Sequence, residues 1–288
     1  MAVRDRLSHT MRIDLHAHSS VSDGTESPAA VMRAAAQAGL DVVALTDHDS
    51  VGGWTQAQAE ADALGIQMVP GIEISCTDGP VSIHMLAYWP VAEDIGLAAT
   101  LGATRSTRLG RAQAMVAALN EDYPLTWDDV LAHAQDAATV GRPHIADALV
   151  ERGYFPDRAA AFASVLATSS PYYVPYQAPD VRDVIRAVRA QGAVPVFAHP
   201  GANARGRVVP DAVMGELVDA GLVGLEVDHR DHTPAQREHL AALAHRYGLV
   251  RTGSSDYHGA GKPNRLGENT TSVEAWEALV EARGDRRE

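Results

Sequence analysis

Short apolar segments alternate with amphipathic segments along most of the 288-residue chain. Seven of the apolar segments have the length and composition of strands, and most of them end in polar residues. They are residues 12–16, 41–46, 67–75, 82–89, 193–199, 224–227 and 249–254. Strand, helix and strand in repeated succession predict an α/β fold with a mainly parallel sheet that curls into a barrel. Because we count seven strands, we do not expect a complete eight-stranded barrel.

Several amphipathic segments carry the signals that begin and end helices. Ser27 is a predicted N-cap, Pro28 occupies the first helical position, and Gly39 ends the same helix. The segment 179–192 places its apolar residues on one face and closes at Gly192. These helices connect successive strands, as the βα pattern requires.

Residues 92–178 interrupt this alternation. The region contains helical patterns and no convincing strand, and it leads into a connector rich in proline and tyrosine. We therefore predict a helical subdomain inserted between the fourth and fifth strands. The barrel would then be discontinuous and formed by residues 11–91 and 179–288.

Ligand-type side chains recur where the predicted strands end. His16 and His18 are separated by one residue, so in a strand both point to the same face and can reach one metal ion. A single pair of this kind is a weak signal, and each of the other candidates has an ordinary structural explanation as a core, capping or turn residue. The further candidates are Asp23, His48, Glu73, His84, His199, Asp256 and His258.

Taken together, these residues predict a metal site with more than one ion. In barrels of this type the reactive groups lie at the carboxyl ends of the strands, and nearly every candidate follows such an end. Packing alone does not explain why strand after strand delivers a histidine, aspartate or glutamate to one rim.

Composition restricts the class of protein. Hydrophobic residues make up 46 % of the chain and charged residues 21 %, which is ordinary for a globular protein. The formal net charge of −13 disfavours general coating of nucleic acid, and we expect no stable binding to duplex DNA. An anionic ligand would need a local concentration of positive charge from side chains or bound metal.

Localisation is predicted to be cytoplasmic. Cys76 is the only cysteine, so no disulfide can form within the chain. The first ten residues are charged and lack the apolar core of a secretory signal. No apolar run approaches the roughly 18 residues that a membrane span needs, so we expect no membrane attachment.

In this order, the motifs HxH, TDHD, GIE, a strand histidine, AHP and SDxH resemble the polymerase-and-histidinol-phosphatase (PHP) family of metal-dependent phosphoesterases. The resemblance covers about residues 11–91 and 180–270 and implies a distorted seven-stranded β/α barrel with up to three divalent ions. It implies one ion bound by His16, His18, Glu73 and Asp256, a second by Glu73, His84 and His199, and a third by Asp23, His48 and His258. Several relatives have a histidine at the position of Asp23, so an oxygen ligand there would alter metal preference or occupancy.

The inserted region narrows the resemblance. The stretch VGRPHIADALVERGY at 140–154 is similar to the branch that hydrolyses nucleoside 3′,5′-bisphosphates and also trims short RNA from the 5′ end. Arg142 and His144 match the residues with which that branch binds substrate phosphate, which makes the insertion a substrate-binding subdomain. The same stretch is also an ordinary helix start, with Pro143 in the first turn. Four cations in loops after rim motifs would bind the second phosphate, or equally be solvated surface charges: Arg205, Arg207, Lys262 and Arg265.

The implied chemistry is metal-assisted hydrolysis of a phosphate ester. Imidazole and carboxylate ligands without a thiolate suit Mn²⁺, which we expect, and also Fe²⁺ or Zn²⁺. Such ions lower the pKa of a bound water to about 7, and a hydroxide bridging two of them would attack phosphorus. The ions and Arg142 would neutralise the developing charge, while His144 would orient the phosphate or donate a proton.

Three alternatives remain open at the level of sequence. A metal amidohydrolase or deaminase also begins with HxH, but it commonly uses a carboxylated lysine on a strand, and no predicted strand contains lysine. A histidinol-phosphate phosphatase of the same family would lack the GRPHIA insertion. A non-catalytic metal-binding module would typically have lost ligands, whereas every ligand position is filled here.

Overall fold

The computed structural model describes residues 11–134, 137–175 and 177–284. Seven strands lie in one sheet, and they match all seven predicted strands in position. They are β1 (Ile13–Ala17), β2 (Val42–Leu45), β3 (Gln67–Asp78), β4 (Val81–Tyr88), β5 (Val194–Phe197), β6 (Gly224–Asp228) and β7 (Val250–Gly253). The predicted lack of a secretory signal concerns residues 1–10, which lie outside the described residues.

The sheet is mixed and nearly closed into a barrel. Its strands follow one another in chain order, and all neighbouring pairs are parallel except the two that involve β4. β3 and β4 are joined by a tight turn, and a connection this short can only join antiparallel strands. Isolated bridges join Ala17 to Tyr257 and Ile13 to Thr271, which brings the chain after β7 back to β1. The predicted seven-stranded α/β barrel is therefore confirmed, with one strand running against the others.

Ten α-helices surround the sheet in the described part of the chain. Those outside the predicted insertion are α1 (Pro28–Gln37), α2 (Trp54–Leu64), α7 (Val181–Ala190), α8 (Met214–Ala220), α9 (Pro234–Tyr247) and α10 (Val273–Ala282). Ser27 caps α1 as predicted, because its side chain accepts a hydrogen bond from the backbone of Ala30. The sequence prediction did not include α2 and α10, each of which buries only two side chains among the described residues.

The region 92–178 is helical, as predicted, and no strand lies between β4 and β5 among the described residues. Its helices are α3 (Ile95–Leu119), α4 (Trp127–Ala134), α5 (Arg142–Glu151) and α6 (Arg158–Ala163). They share a hydrophobic cluster that includes Met115, Leu119 and Leu149. The start of α3 instead packs on the barrel, because Leu97 and Leu101 join the cluster around β3 and β4. α3 therefore connects the hydrophobic cluster of the insertion with that of the barrel.

Alternate residues of the strands serve two separate cores. In β2, Val42 and Ala44 pack in the cluster that also holds Tyr88, whereas Val43 and Leu45 pack in the cluster beneath α1. Strands buried on both faces are rigid supports, so the residues that follow their carboxyl ends are held in fixed positions. None of the described helices has both the length and the hydropathy that a membrane span requires.

Candidate metal centre

Histidines and carboxylates converge at one rim of the barrel. They lie on six of the seven strands or in the segments that follow them. Eight of the nine predicted metal ligands fall into three overlapping groups, in each of which one ligand atom per residue lies within 4.8 Å of the others. The first group is His16, His18, Glu73 and Asp256; the second is His48, Glu73 and His84; and the third is His18, Asp23, His48 and His258. All are buried except His84, which is partly exposed.

The first group is centred on two facing imidazoles. The Nε2 atoms of His16 and His18 lie 3.0 Å apart. Glu73 Oε2 is 3.2 Å from the first of them and 3.0 Å from the second. Asp256 Oδ1 is 3.4 Å from both. This group contains the same four residues that the family resemblance implies for one ion.

The second group shares Glu73 with the first. Glu73 Oε1 lies 2.8 Å from His84 Nδ1 and 2.9 Å from His199 Nε2. The other carboxylate oxygen lies 3.3 Å from His48 Nδ1. The resemblance placed His199 rather than His48 here, and the structure brings both imidazoles into contact with the same carboxylate.

The third group surrounds Asp23. Its Oδ1 lies 3.3 Å from His258 Nε2 and 3.5 Å from His18 Nδ1, and its Oδ2 lies 3.7 Å from His48 Nε2. The resemblance implied Asp23, His48 and His258, and the structure adds His18, which thus faces two groups.

The donor geometry fits divalent ions. Two ligands about 2.1 Å from one ion, at tetrahedral or right angles, lie roughly 3.0 to 3.4 Å from each other. The contacts around Glu73 and Asp256 match this spacing. Buried nitrogens of His48, His84, His229 and His258 form no hydrogen bond of acceptable geometry among the described residues, although three of them lie within 3.3 Å of a carboxylate oxygen. Three of these belong to the groups, and a buried nitrogen without a partner is costly unless an ion uses its lone pair.

Hydrogen bonds fix two imidazole tautomers so that the lone pair faces the groups. Nδ1 of His16 donates to Glu226 Oε1 at 3.0 Å, and Nδ1 of His258 donates to the backbone oxygen of Asp256 at 2.8 Å. In both rings Nε2 is left as the acceptor, the form that binds metal. Glu226 also accepts a 2.6 Å hydrogen bond from the backbone of His199 and another from Ser254.

The charges of the groups are set by burial and by their neighbours. Burial raises the pKa of Glu73, but the imidazoles of His48 and His84 reverse this and hold that pKa well below its usual value. Burial lowers the pKa of His258 to about 4. It also lowers that of His199 to about 3, assisted by Arg205. Burial opposes a charge on His16 and His18 as well, but Glu73 and Asp256 outweigh it and raise the pKa of both, that of His18 to about 9. A divalent ion in the first group would therefore displace protons from these two imidazoles.

The backbone at this rim is strained. Three of the four non-glycine residues with positive φ in the described chain lie here, namely Asp49 at 50°, His199 at 32° and Asp256 at 53°. Such conformations cost free energy and concentrate at functional sites, where the surrounding structure enforces them. They turn the chain sharply after β2, β5 and β7 and direct the side chains inwards.

Two of the four cations predicted to bind a second phosphate reach this rim. Arg205 Nη2 donates to Asp256 Oδ2 at 2.6 Å, and its Nε donates to Asp231. Lys262 Nζ donates to the same oxygen of Asp256 at 2.9 Å. Arg207 and Arg265 lie on the exposed surface, and Arg265 is 3.9 Å from Glu268.

Arg142 and His144 open α5. The backbone of Gly141 donates to His144 Nδ1 at 3.2 Å, so the ring proton of this buried imidazole lies on Nε2. Burial lowers the pKa of His144, and the negative charge of Asp23 in the third group opposes the effect. The Arg142 guanidinium donates to the backbone oxygen of Leu166 and lies 5.3 Å from the centre of the Phe162 ring.

Two charged residues near the metal ligands, Glu226 and Arg108, were not among the residues predicted from the sequence. Glu226 is a glutamate inside an apolar strand, the same signal that marked Glu73, so it could have been found. Arg108 lies on α3 and contacts Asp49 and Ser75. No local pattern distinguishes it from the other arginines of that helix, because its position depends on how the insertion packs on the barrel.

The chain is similar in sequence to known phosphatases and phosphodiesterases. A sequence profile of the PHP domain matches residues 14–154. The chain is 32 % identical over 254 residues to a 3′,5′-nucleoside bisphosphate phosphatase of Chromobacterium violaceum, covering 88 % of this chain and 89 % of the relative. It is 34 % identical over 251 residues to a phosphoribosyl 1,2-cyclic phosphate 1,2-diphosphodiesterase of Eggerthella lenta, covering 85 % and 94 %.

Two further similarities extend the comparison. A 5′-3′ exoribonuclease of Haemophilus influenzae is 29 % identical over 268 residues, covering 92 % of this chain and 97 % of the relative. A crystal structure from Bifidobacterium adolescentis, described as a candidate metal-dependent phosphoesterase, superposes with a TM-score of 0.92 at 41 % identity. That match covers 96 % of this chain and 97 % of the other.

Proposed function

Because this chain belongs to the PHP family of metal-dependent phosphoesterases, and is a hydrolase of phosphoester bonds, we propose that its substrates are nucleoside 3′,5′-bisphosphates. Hydrolysis of the 3′-phosphate, for example of adenosine 3′,5′-bisphosphate, would yield the 5′-monophosphate and inorganic phosphate. The near full-length similarity to the Chromobacterium violaceum bisphosphate phosphatase supports this substrate. The similarity to an exoribonuclease supports short RNA as a second substrate, trimmed from the 5′ end.

The observation that carries the proposal is the convergence of three ligand groups on shared residues. Glu73, His18 and His48 each belong to two groups, so ions bound in them would be close neighbours. Closely spaced divalent ions supply a low-pKa bound water and neutralise charge on a phosphate, which is the chemistry that phosphate-ester hydrolysis needs. The predicted ligands are proposed to bind the ions in these three groups, and His199 is proposed to bind beside Glu73.

Mn²⁺ is the proposed ion, with Fe²⁺ and Zn²⁺ as the alternatives. The donor atoms are imidazole nitrogens and carboxylate oxygens, which all three ions accept. Cys76 is buried outside the groups, and burial raises the pKa of its thiol, so no thiolate biases the site towards softer ions.

The insertion at 92–178 is proposed to bind substrate. Arg142 and His144 lie at the start of α5, where backbone N–H groups and the helix dipole favour an anion. His144 presents Nε2–H and would donate a hydrogen bond to substrate phosphate. Arg142 would carry positive charge to the same phosphate.

The second phosphate is proposed to bind beside Asp256. Arg205 and Lys262 already converge there on one oxygen of Asp256. Arg207 and Arg265 are exposed and would act on a substrate from the outer edge. This local positive charge is how a chain with a net charge of −13 would attract a doubly phosphorylated nucleotide.

The test is phosphate release by the metal-loaded protein from four substrates. They are adenosine 3′,5′-bisphosphate, adenosine 5′-monophosphate, a 5′-phosphorylated RNA trimer and histidinol phosphate. We expect the bisphosphate to give the highest kcat/KM and Arg142→Ala to lose most with it. A preference for histidinol phosphate, or for a ribose 1,2-cyclic phosphate included as a fifth substrate, would refute the substrate assignment and leave the metal centre standing.

A further inference from the structure

We propose that Arg108 binds the phosphate under attack, from the insertion side of the metal centre, and is anchored for this role by Asp49 and Ser75. The inference rests on the proposed function, because it assigns a residue to the substrate of that reaction. Neither the motifs nor the strand-end pattern includes this arginine, which reaches the barrel from α3.

The position of Ser75 places Arg108 beside the metal ligands. Ser75 is two residues after Glu73 on β3, so both side chains lie on the same face of the strand. Its partner across the antiparallel β3–β4 pair is His84. Arg108 Nη1 donates to Ser75 Oγ at 2.6 Å, so the guanidinium lies next to the side chains that form the second group.

The guanidinium is fixed in orientation. Nη1 also donates to Asp49 Oδ2 at 3.0 Å, and the same carboxylate accepts hydrogen bonds from the backbone and hydroxyl of Ser75. Asp49 is buried and has positive φ, so its own position is enforced by the backbone. A guanidinium held in this way loses little conformational freedom when it binds an anion.

The other side of the guanidinium faces the start of α5. A Cβ atom placed on Gly141 would lie 3.5 Å from Arg108 Nη2 and 3.9 Å from its Nε. Gly141 is the N-cap residue of the helix that begins with Arg142 and carries His144. Arg108 therefore lies between the metal ligands and the residues proposed to hold phosphate.

Its electrostatic influence agrees with this location. Burial is the largest cause of the lowered pKa of His48 and of His144, and the positive charge of Arg108 makes a smaller contribution in the same direction. The side chain is 11 % exposed, so a substrate can reach it. A planar guanidinium aimed at the equatorial oxygens is the group that phosphoryl transfer uses to stabilise developing charge.

Arg105 provides a matched control. It is one turn earlier on α3 and donates to the backbone oxygen of the same Asp49 at 2.7 Å, so it also docks the insertion on the barrel. If Arg108 served only to dock the insertion, Arg105→Met and Arg108→Met would have similar effects. If Arg108 binds phosphate, only its own replacement reduces turnover strongly.

The experiment compares Arg108→Met, Arg108→Lys and Arg105→Met in the manganese-loaded protein. We expect Arg108→Met to lower kcat/KM by about 10²- to 10³-fold with adenosine 3′,5′-bisphosphate and equally with adenosine 3′-monophosphate. The equal loss is expected because Arg108 contacts the phosphate that both substrates share. Arg108→Lys should recover part of the loss, Arg105→Met should stay within threefold of wild type, and manganese content should not change.

Three results would overturn the inference. They are equal losses in Arg105→Met and Arg108→Met, a kcat/KM within threefold of wild type in Arg108→Met, and a loss confined to the bisphosphate. Calorimetric titration with inorganic phosphate measures phosphate affinity directly and does not depend on turnover. If Arg108→Met does not fold, Arg108→Lys is titrated in its place. If wild type hydrolyses neither nucleotide, the proposed function fails. Equal phosphate affinity in wild type and Arg108→Lys, with no loss of turnover, rejects the role of Arg108 alone.

Discussion

Glu226→Gln is expected to weaken metal binding without unfolding the protein. Glu226 is fully buried on β6 and bridges two strand ends. One oxygen accepts from His16 Nδ1 at 3.0 Å, and the other accepts from the backbone N–H of His199 at 2.6 Å. Glutamine has the same shape but carries one acceptor oxygen and one NH₂ group in place of two acceptors.

The backbone N–H of His199 can only donate, so it selects the orientation of the glutamine. The amide oxygen must face His199, and the NH₂ group must then face His16 Nδ1. Nδ1 of His16 becomes the acceptor, and the ring proton moves to Nε2, the nitrogen that faces His18 and the carboxylates. A protonated Nε2 cannot bind an ion.

The expected loss of manganese affinity follows from the tautomer that His16 must adopt when it binds the ion. To free Nε2, His16 must keep its proton on Nδ1, which sets two buried donors against each other at a cost of about 1–3 kcal/mol. At 1.4 kcal/mol per tenfold, manganese affinity of the first group should fall by about 10- to 100-fold. Saturating Mn²⁺ should restore most of the turnover, because the fold and the other ligands are unchanged.

The assay is titration of the metal-free protein with Mn²⁺, followed by calorimetry and by turnover. Ser254→Ala is the matched control, since it removes a second hydrogen bond to Glu226 but leaves the carboxylate to hold His16. Manganese affinity of Glu226→Gln within twofold of wild type would refute the tautomer argument. Equal weakening in both variants would show that general packing around Glu226, and not the proton position, controls the affinity.

Three further outcomes are expected. Exhaustive chelation should abolish phosphate release and lower Tm, with both restored by Mn²⁺; turnover that persists without metal contradicts the proposed chemistry. Gly24→Ala should reduce bound metal, because the new Cβ would lie 2.6 Å from the backbone oxygen of His18; unchanged stoichiometry would show that the loop adapts. Asp129→Asn should lower the urea midpoint at pH 6, because hydrogen bonding to Arg152 lowers the pKa of Asp129 from 3.8 to about 2. The stability contributed by ionised Asp129 is fully present above pH 3.8 and is lost as the pH falls through about 2. A difference in urea midpoint between wild type and Asp129→Asn that is as large at pH 3 as at pH 6 would contradict this reasoning.

The sequence predicted the barrel strands well because they are buried on both faces. A strand such as β2, with Val42 to Leu45 packed on alternate sides, must be apolar throughout, and such a run is visible without any partner. The direction of β4 was less accessible, since direction is set by the length of the connecting turn rather than by the strand itself. α2 and α10 were missed because each needs only two buried side chains to dock, too few for a clear period.

The candidate ligands could be predicted because strand order places successive strand ends side by side. His16 and Asp256 are far apart in sequence, yet β1 and the chain after β7 are joined by backbone bridges that bring them to 3.4 Å. The position of Arg108 could not be predicted in this way. It depends on the packing of a 25-residue helix against the rim, which no strand order specifies.

Seven carboxylates are buried in the described chain, and their partners divide them into two classes. The outer class is satisfied by hydrogen-bond donors of the protein: Asp14, Asp47, Asp49 and Glu226. The inner class has imidazoles against at least one carboxylate oxygen: Asp23, Glu73 and Asp256, although the second oxygen of Asp256 accepts from Arg205 and Lys262. Burial lowers the pKa of His199 and His258, so these imidazoles remain neutral. Burial acts in the same direction on His16 and His18, but Glu73 and Asp256 outweigh it and raise the pKa of both.

This division separates the carboxylates that face the proposed ions from those that hydrogen bonds of the protein alone satisfy. A buried ionised carboxylate is costly unless it is paired, and divalent ions supply that pairing for the inner class. Three of the outer carboxylates lie within two residues of a predicted metal ligand. The fourth, Glu226, accepts a hydrogen bond from Nδ1 of His16, the ring nitrogen that faces away from the ions. Their replacement should therefore change ligand geometry and metal affinity, whereas replacement of an inner carboxylate should remove an ion. Metal content measured for Asp47→Asn and Glu73→Gln separates the two roles, and equal metal loss in both variants would show that the division does not hold.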